Sequence, residues 1–503
     1  MWQQFLEWLA EVNAFVNDLV WGWPVIIMIL GTGILLTVRT KALQLRKFGY
    51  AMKTTIIKTL RAPYRKSGEK QTGVSQFEAF SAAISGTVGT GNIIGVTSAV
   101  LTGGPGAVFW MWVSAFFGMI TNYAENVLGL YFRRREENGE FSGGAMYYIY
   151  YGLKWKWLAY VASVFCVLAA IGMSGVQTNK ISSTLSGAFG TSLGVQPQTL
   201  KLIIGIVVAL LAAAVIIGGI KRIGRVASML VPFMSLIFMV GALVIIGKNI
   251  TSLPGAFGSI FRYAFNFKAA GSGIFGYGFA QVIRKGMARG VFSNEAGLGS
   301  SVIAHSASET REPVKQGLWG VFEVFFDTFV ICTLSALTLL CSTDLNALTG
   351  KEIDTDLSMA VFSDNFGVVG TVMSSIILPL FAFTTILAWS YYGEKATDFL
   401  FRRLSKKGRK IAVTTFKVVY VGLIVVSAMT ESELAWALSD TANGLMALPN
   451  LICVVALSGL VTKITKNYFA RKKERDLEPM LSAYPEQNEL FKGEILSGPE
   501  EFQ

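Results

Sequence analysis

The chain has 503 residues, of which 52% are hydrophobic and 15% charged, with a formal net charge of +12. A soluble domain carries about 25% charge, whereas many windows of about 20 residues here, enough to cross a hydrocarbon core, carry none, so this is the sequence of a polytopic membrane protein. Lys and Arg sit in short loops between apolar spans, which removes nucleic acid as their partner, and one histidine (His305) with four dispersed cysteines (Cys166, Cys332, Cys341, Cys453) leaves little for a multi-His or multi-Cys metal site or for Ser-His-Asp or Cys-His catalysis.

In chain order, the first twenty residues lack the basic n-region of a cleavable signal peptide and carry Glu7, Glu11 and Asp18. Trp2, Phe5, Trp8, Leu9 and Val12 recur at helical spacing, which predicts a short interfacial helix. Eleven spans follow, with cores at 20–38, 77–101, 106–131, 157–187, 201–219, 226–247, 275–304, 318–341, 367–391, 411–429 and 441–462. The loops test that count. The basic clusters from Arg39 to Lys70, Arg133 to Arg135, Lys221 to Arg225, Arg402 to Lys410 and Lys463 to Lys473 all fall on one side of an eleven-span chain. The acidic loops, with Asp344, Glu352, Asp354, Asp356, Asp364, Glu431 and Glu433, fall on the other. The positive-inside rule then puts the N-terminus outside and the C-terminus in the cytoplasm.

Two spans are unlike the rest. Span two contains SGTVGTGNIIG (Ser85 to Gly95), with Gly86, Gly89, Gly91 and Gly95 in its middle. Span seven contains Gly286, Gly290, Gly297 and Gly299 around Ser293, Asn294 and Glu295. Glycine at one site supports close helix packing. Glycine clustered with polar residues at mid-span, in two segments five spans apart, points to paired discontinuous helices in an inverted-repeat transporter. The fold class is therefore all-α integral membrane, a 5+5 inverted repeat with two discontinuous helices plus one extra N-terminal helix. The units are residues 1–75 (interfacial helix, first span, basic loop), 76–250 and 251–465 (the two five-helix repeats) and 466–503 (a cytoplasmic, partly disordered tail).

Unwound stretches have a chemistry of their own. A half-helix N-terminus suits a carboxylate, and freed carbonyls with Ser and Thr hydroxyls suit a small hard cation such as sodium. The amino group of an amino acid would need acceptors such as the carbonyls near Phe292 and Ser293, or Gln177. GTGNIIG (Gly89 to Gly95) is not read as a dinucleotide loop, because it sits inside an apolar span rather than after a strand.

At these segments the sequence resembles the alanine/glycine:cation symporter family. The resemblance rests on TVGTGNIIGVTSAVLTGGPGAVFWMW (Thr87 to Trp112), GMARGVFSNEAGLGSSVIAHSAS (Gly286 to Ser308) and FAFTTILAWSYYGEKA (Phe381 to Ala396), and runs over roughly Gly73 to Thr462. It implies sodium-coupled uptake of alanine or glycine by alternating access in a bacterial or archaeal plasma (inner) membrane. Partners are then the amino-acid substrate and membrane lipid, no nucleic acid, with a monomer plausible. It further implies that Thr87, Gly91, Asn92, Gln177, Phe292, Ser293, Asn294 and Trp389 hold substrate. Ser85, Val88, Thr384 and Thr385 would hold the coupling sodium ion.

Several alternatives stay open at this level. Gln177 either faces the site or ties two helices together, Trp389 either closes the pocket or packs, and Thr384 and Thr385 either bind sodium or bond back to their own helix. Glu125 and Glu295 carry protons, brace the fold or gate. Arg284, Lys285 and Arg289 form vestibule ion pairs or meet substrate. A proton-coupled symporter and a channel or sensor on the same fold are the rival functions, and a membrane enzyme is a third.

Overall fold

The computed structural model describes residues 2–61, 74–136, 139–265, 278–343, 355–430, 433–472, 474 and 477–497. Lys70, Asp344, Glu352, Asp354, Glu431 and Lys473, used above to orient the loops, lie outside these. Helix Trp2–Val20 turns through Trp21 and Gly22 into Trp23–Arg39, which starts with proline in its first turn, where the missing N–H costs nothing. The first broken helix is the pair Gln76–Thr87 and Ile94–Gly103, with a bend of 56° between Gln76–Thr87 and Thr90–Gly103. It begins with a capping box: Glu78 N donates to Ser75 Oγ (3.1 Å) and Ser75 N to Glu78 Oε2 (2.9 Å). Ala107–Tyr131, Lys156–Leu193, Pro197–Ile216 and Gly219–Lys248 follow.

The second half begins with Phe279–Asn294, a break, and the four-residue helix Val302–His305. The span Pro313–Ser342 comes next, with its middle, Phe325–Cys332, wound as a π-helix. Val368–Leu400, Lys406–Met429 and Glu433–Arg471 complete it. Among the described residues nine helices are long and apolar enough to cross a membrane, ten if the bent pair counts as one span. The remaining predicted crossing, 275–304, does not qualify. Its first residues lie outside the described chain, its first helix carries Arg284, Lys285 and Arg289, and its second is too short.

Lys156–Leu193 lies against both Val368–Leu400 and Glu433–Arg471, while Phe279–Asn294 and Pro313–Val324 pack on Ala107–Tyr131. Apolar side chains such as Leu210, Ile217, Leu236 and Val418 remain exposed on the outer helices, as a lipid-facing surface requires. The ion-pair reading of the span-seven arginines holds, since Arg284 pairs with Asp18 (3.0 Å) and Arg289 with Asp440 (3.5 Å). Asn17 Nδ2 also donates to Asp440 Oδ2 (3.1 Å), which fixes the N-terminal helix on the last span.

The tail departs from expectation. Pro485–Ser497 is a helix whose Phe491 is buried with Phe141, Leu481 and Ile495. Polar composition suggested disorder, but one aromatic and two aliphatic side chains with a receiving pocket suffice to dock it.

The approach of the second broken segment to Ala107–Tyr131 depends on Gly286, where an added Cβ would lie 2.4 Å from the Ala107 carbonyl oxygen. Gly286→Ala is expected to force the two helices apart at a cost of about 1–3 kcal/mol, seen as a lower melting temperature of the detergent-solubilised protein.

Candidate functional site

The first break is short and largely self-satisfied. After Thr87 the chain passes through Val88 and Gly89 into a single 3-10 turn, Thr90–Asn92. Gly89 N donates to Asn92 Oδ1 (2.9 Å), so the asparagine carbonyl replaces a lost helical acceptor. Thr90 Oγ1 donates to Gln177 Oε1 (2.9 Å) on the long fourth span. Thr385 Oγ1, on Val368–Leu400, shares its hydrogen between the Ser85 carbonyl (3.0 Å) and the Phe381 carbonyl (2.9 Å). A Cβ at Gly89 would meet that hydroxyl at 2.5 Å, so only glycine lets the unwound backbone and Thr385 come this close.

The second break is longer and is held by other helices. Phe279–Asn294 ends on Glu295 at φ 55°, and Gly297 and Gly299 follow at φ 94° and 73°, conformations that favour glycine. Two freed amides reach across to one carboxylate: Gly297 N donates to Glu125 Oε2 (3.3 Å) and Gly299 N to Glu125 Oε1 (3.1 Å). Asn450 Nδ2 donates to the same carboxylate and to the Gly297 carbonyl (2.8 Å). Ser300 Oγ donates to Glu295 Oε2 (2.5 Å). The geometry of Glu125 is thus that of a brace.

The two breaks meet at Asp327, which the sequence reading did not single out. It lies fully buried on the π-helical stretch. Asn92 Nδ2 from the first break donates to its Oδ1 (2.5 Å), and Ser293 Oγ from the second to its Oδ2 (2.9 Å). Thr328 Oγ1 donates to Oδ2 (2.8 Å), and itself accepts from Asn294 Nδ2 (3.1 Å). Asp327 is the lone charge in an apolar run, FFDTFVIC, and an intramembrane acid is a functional candidate on that ground alone. The glycine signal drew attention to the breaks and away from the residue between them. Thr90 and Asn450 carried no signal, because their partners are remote in sequence.

The expected site residues fall into groups. Ser85, Thr87, Val88, Asn92, Gln177, Ser293, Asn294, Thr384, Thr385 and Trp389 are all at most 3% exposed, so this centre is sealed from solvent. Around the first break the structure brings together Gln177, Thr385 and Phe292, whose ring would lie 3.6 Å from a Cβ at Gly91. Asn92, Ser293 and Asn294 are brought together through Asp327 and Thr328. Others are turned elsewhere. Thr87 Oγ1 donates back to Ile84 O (3.1 Å), and Thr384 Oγ1 to Phe381 O (3.1 Å) and towards the Met234 sulfur (3.7 Å). Trp389 packs edge-on against Tyr392, ring centroids 5.4 Å apart, one turn beyond Thr385. His305 ends its short helix, bonded to Glu323 (2.7 Å) and Gln316 (2.6 Å). Phe292 stacks on Trp436 at 6.2 Å.

The profile of the sodium:alanine symporter family matches residues 6–483. The chain is 40% identical over 469 residues to the sodium/alanine symporter AgcS of Methanococcus maripaludis, an alignment covering 92% of this chain and 98% of that protein. It is 35% identical over 484 residues to the putative sodium/proton-dependent alanine carrier protein YrbD of Bacillus subtilis, covering 94% of this chain and 95% of that one. Among solved structures, MhsT in complex with L-phenylalanine superimposes with a TM-score of 0.57 at 15% identity, over 84% of this chain and 96% of that chain. That last likeness is one of fold alone.

The brace at the second break is open to test. Glu125→Ala strands the Gly297 and Gly299 amides, at about 1–3 kcal/mol for each buried donor left unpaired. Glu125→Gln keeps one acceptor oxygen and is expected to cost less. Thermal unfolding of the two variants in detergent should rank them in that order below the parent.

Proposed function

The chain belongs to the sodium:alanine symporter family, and on that premise we propose that it carries small neutral amino acids, alanine and glycine, into the cell together with sodium ions by alternating access. The observation that carries this reading is the convergence of two unwound helices on one sealed centre. A membrane protein tolerates such irregular backbone only where it is buried or lines a cavity. Cation-coupled symport of amino acids is the activity of the family. The choice of sodium and of alanine or glycine is supported by the relatives' names and by the residues at the centre.

In this reading the first break receives the substrate carboxylate, at the backbone amides of Thr87, Gly91 and Asn92 before the half-helix Ile94–Gly103, joined by the Thr87 hydroxyl once it turns from Ile84 O. A helix N-terminus favours negative charge there. Carbonyls at Phe292 and Ser293, with Asn294 and Gln177, take the ammonium group. Phe292, stacked on Trp436, and Trp389 limit the side chain to a small one. The sodium site is tested by its donors. Thr385 Oγ1 and the Ser85 carbonyl lie 3.0 Å apart, two hard oxygens of the kind sodium prefers. The Val88 carbonyl belongs to the same unwound stretch. Thr384 would join by turning its hydroxyl away from Phe381 O. Sodium there would tie the first broken helix to Val368–Leu400, and its loss would free them to part. The protein sits, on this proposal, in the plasma membrane of a bacterium or archaeon, N-terminus outside.

Uptake of labelled alanine into proteoliposomes is expected to require an inward sodium gradient, and to be competed by glycine. Uptake indifferent to sodium would overturn the sodium assignment. Thr385→Ala is expected to raise the sodium concentration for half-maximal uptake about tenfold or more, the equivalent of about 1.4 kcal/mol, with little change in thermal unfolding.

A further inference from the structure

We propose that the N-terminal helix Trp2–Val20, which lies outside both repeats, is a positioning element of a gate. It holds Asp440 in place to receive Arg289 and adds an ion pair of its own, Asp18 to Arg284, and so keeps one mouth of the centre shut. The proposal rests on the transporter reading above and deepens it.

The mouth is the end of the molecule at which Phe279–Asn294 and Glu433–Arg471 begin. Arg284, Arg289 and Phe292 descend the first of these helices towards its break. Trp436, Asp440 and Asn443 descend the second at i, i+4 and i+7, which is one face of a helix. The innermost rung between the two is aromatic. Phe292, whose ring approaches Gly91 of the first break, stacks on Trp436 at 6.2 Å. The Arg289 guanidinium lies 5.6 Å from the Phe292 ring, and the Lys180 ammonium 5.6 Å from the Trp436 ring, so a cation caps each half of the stack. One turn further out is the ionic rung, Arg289 with Asp440 (3.5 Å). Beneath both rungs Asn443 is 2% exposed.

The N-terminal helix enters at the ionic rung. Asn17 Nδ2 commits one hydrogen to Asp440 Oδ2 (3.1 Å) and the other to Thr441 Oγ1 (2.9 Å), and Trp21 Nε1 donates to the Asp440 carbonyl (3.2 Å). One carboxylate oxygen of Asp440 is thus fixed by Asn17 while the other, Oδ1, faces Arg289. An aspartate held in this way gives up less rotamer freedom on meeting an arginine. Val20 and Trp21 are buried against Gly444, one turn beyond Asp440, where any side chain would collide with Val20.

The attachment to the other helix is of a different strength. Asp18 pairs with Arg284 (3.0 Å), but its side chain is 81% exposed, and ion pairs in water are weak. Apolar packing and three hydrogen bonds hold the N-terminal helix to the last span, against one exposed pair to Phe279–Asn294. When Phe279–Asn294 swings away from Glu433–Arg471, the N-terminal helix stays with the last span, and the pairs at Asp18 and Asp440 break together. The extra helix is the fixed jamb on which the second broken helix closes.

The test labels the detergent-solubilised full chain, without substrate, with a charged thiol reagent. One reporter is Asn443→Cys, beneath the rungs. The other is Ser81→Cys, buried on Gln76–Thr87, which starts beside Ser308 at the opposite end of the second broken segment. The chain without a reporter, whose own cysteines are buried, sets the background. Asn17→Ala and Trp21→Phe are each expected to speed labelling of Asn443→Cys about tenfold without speeding that of Ser81→Cys. Unchanged labelling overturns the proposal. An equal rise at both reporters makes the helix a prop of the whole fold, and overturns it too. Should both variants fail to fold, Asp18→Asn decides: labelling of Asn443→Cys about two- to fivefold faster is expected, and no change overturns the proposal. Uptake of alanine and glycine by the parent is measured separately in proteoliposomes. If it moves neither, the transport reading fails, while the labelling still judges the clamp.

Discussion

Water is scarce in the middle of a bilayer, so backbone that leaves a helix there must find its partners within the protein. In this chain the second break is the larger debt, and a single carboxylate, Glu125, meets much of it. Its two oxygens collect the amides of Gly297 and Gly299, and Asn450 closes the arrangement by donating both to Glu125 and to the Gly297 carbonyl. Asn450 is oriented in turn by the Tyr148 hydroxyl. The loop, two long spans and the short π-turn that carries Tyr148 are thereby fixed to one another through one connected set of buried hydrogen bonds.

The first break solves the same problem locally, with Asn92 folding back on Gly89. Its ties to the rest of the molecule are few: Thr90 to Gln177, Ser85 to Thr385, Asn92 to Asp327. The asymmetry is physical. One break is welded into its surroundings and the other is moored at three points, each of them polar and each able to exchange its partner for a ligand. The apolar side chains beside these moorings, Phe80, Ile84, Val88, Ile93 and Ile94, pack in one buried cluster.

Much of this architecture is legible in the order of residues. Apolar length gives most of the spans, and glycine clustered with Ser, Thr and Asn locates both breaks, because the departure from helix has a local cause. What satisfies the breaks is not local. Glu125 and Gly297 are 172 residues apart, and no spacing rule joins them. Asp327 was visible as a lone acid in an apolar run but took its meaning only from Asn92 and Ser293, which tertiary packing supplies. The predicted span at 275–304 does not stand out by length and apolarity among the described residues, because its first helix carries Arg284 and Arg289, which pair with Asp18 and Asp440. The tail helix Pro485–Ser497 was not legible because composition averages over a stretch, while docking depends on a few side chains.

That tail reaches further into the molecule than its position suggests. Arg133 is buried and donates to the carbonyls of Ser306 (3.1 Å), Ser308 (2.5 Å) and Thr310 (2.5 Å), just past the second broken segment. Phe141 lies 3.9 Å from its guanidinium and Phe491, from the tail helix, 5.6 Å. Arg311, in the same stretch, pairs with Glu494. The tail helix is therefore tied, through Arg133, Phe141 and Arg311, to the stretch just past the second broken segment. A dye attached to the outer face of Pro485–Ser497 would report on the surroundings of the stretch from Ser306 to Arg311, which carries no label site of its own in the buried interior.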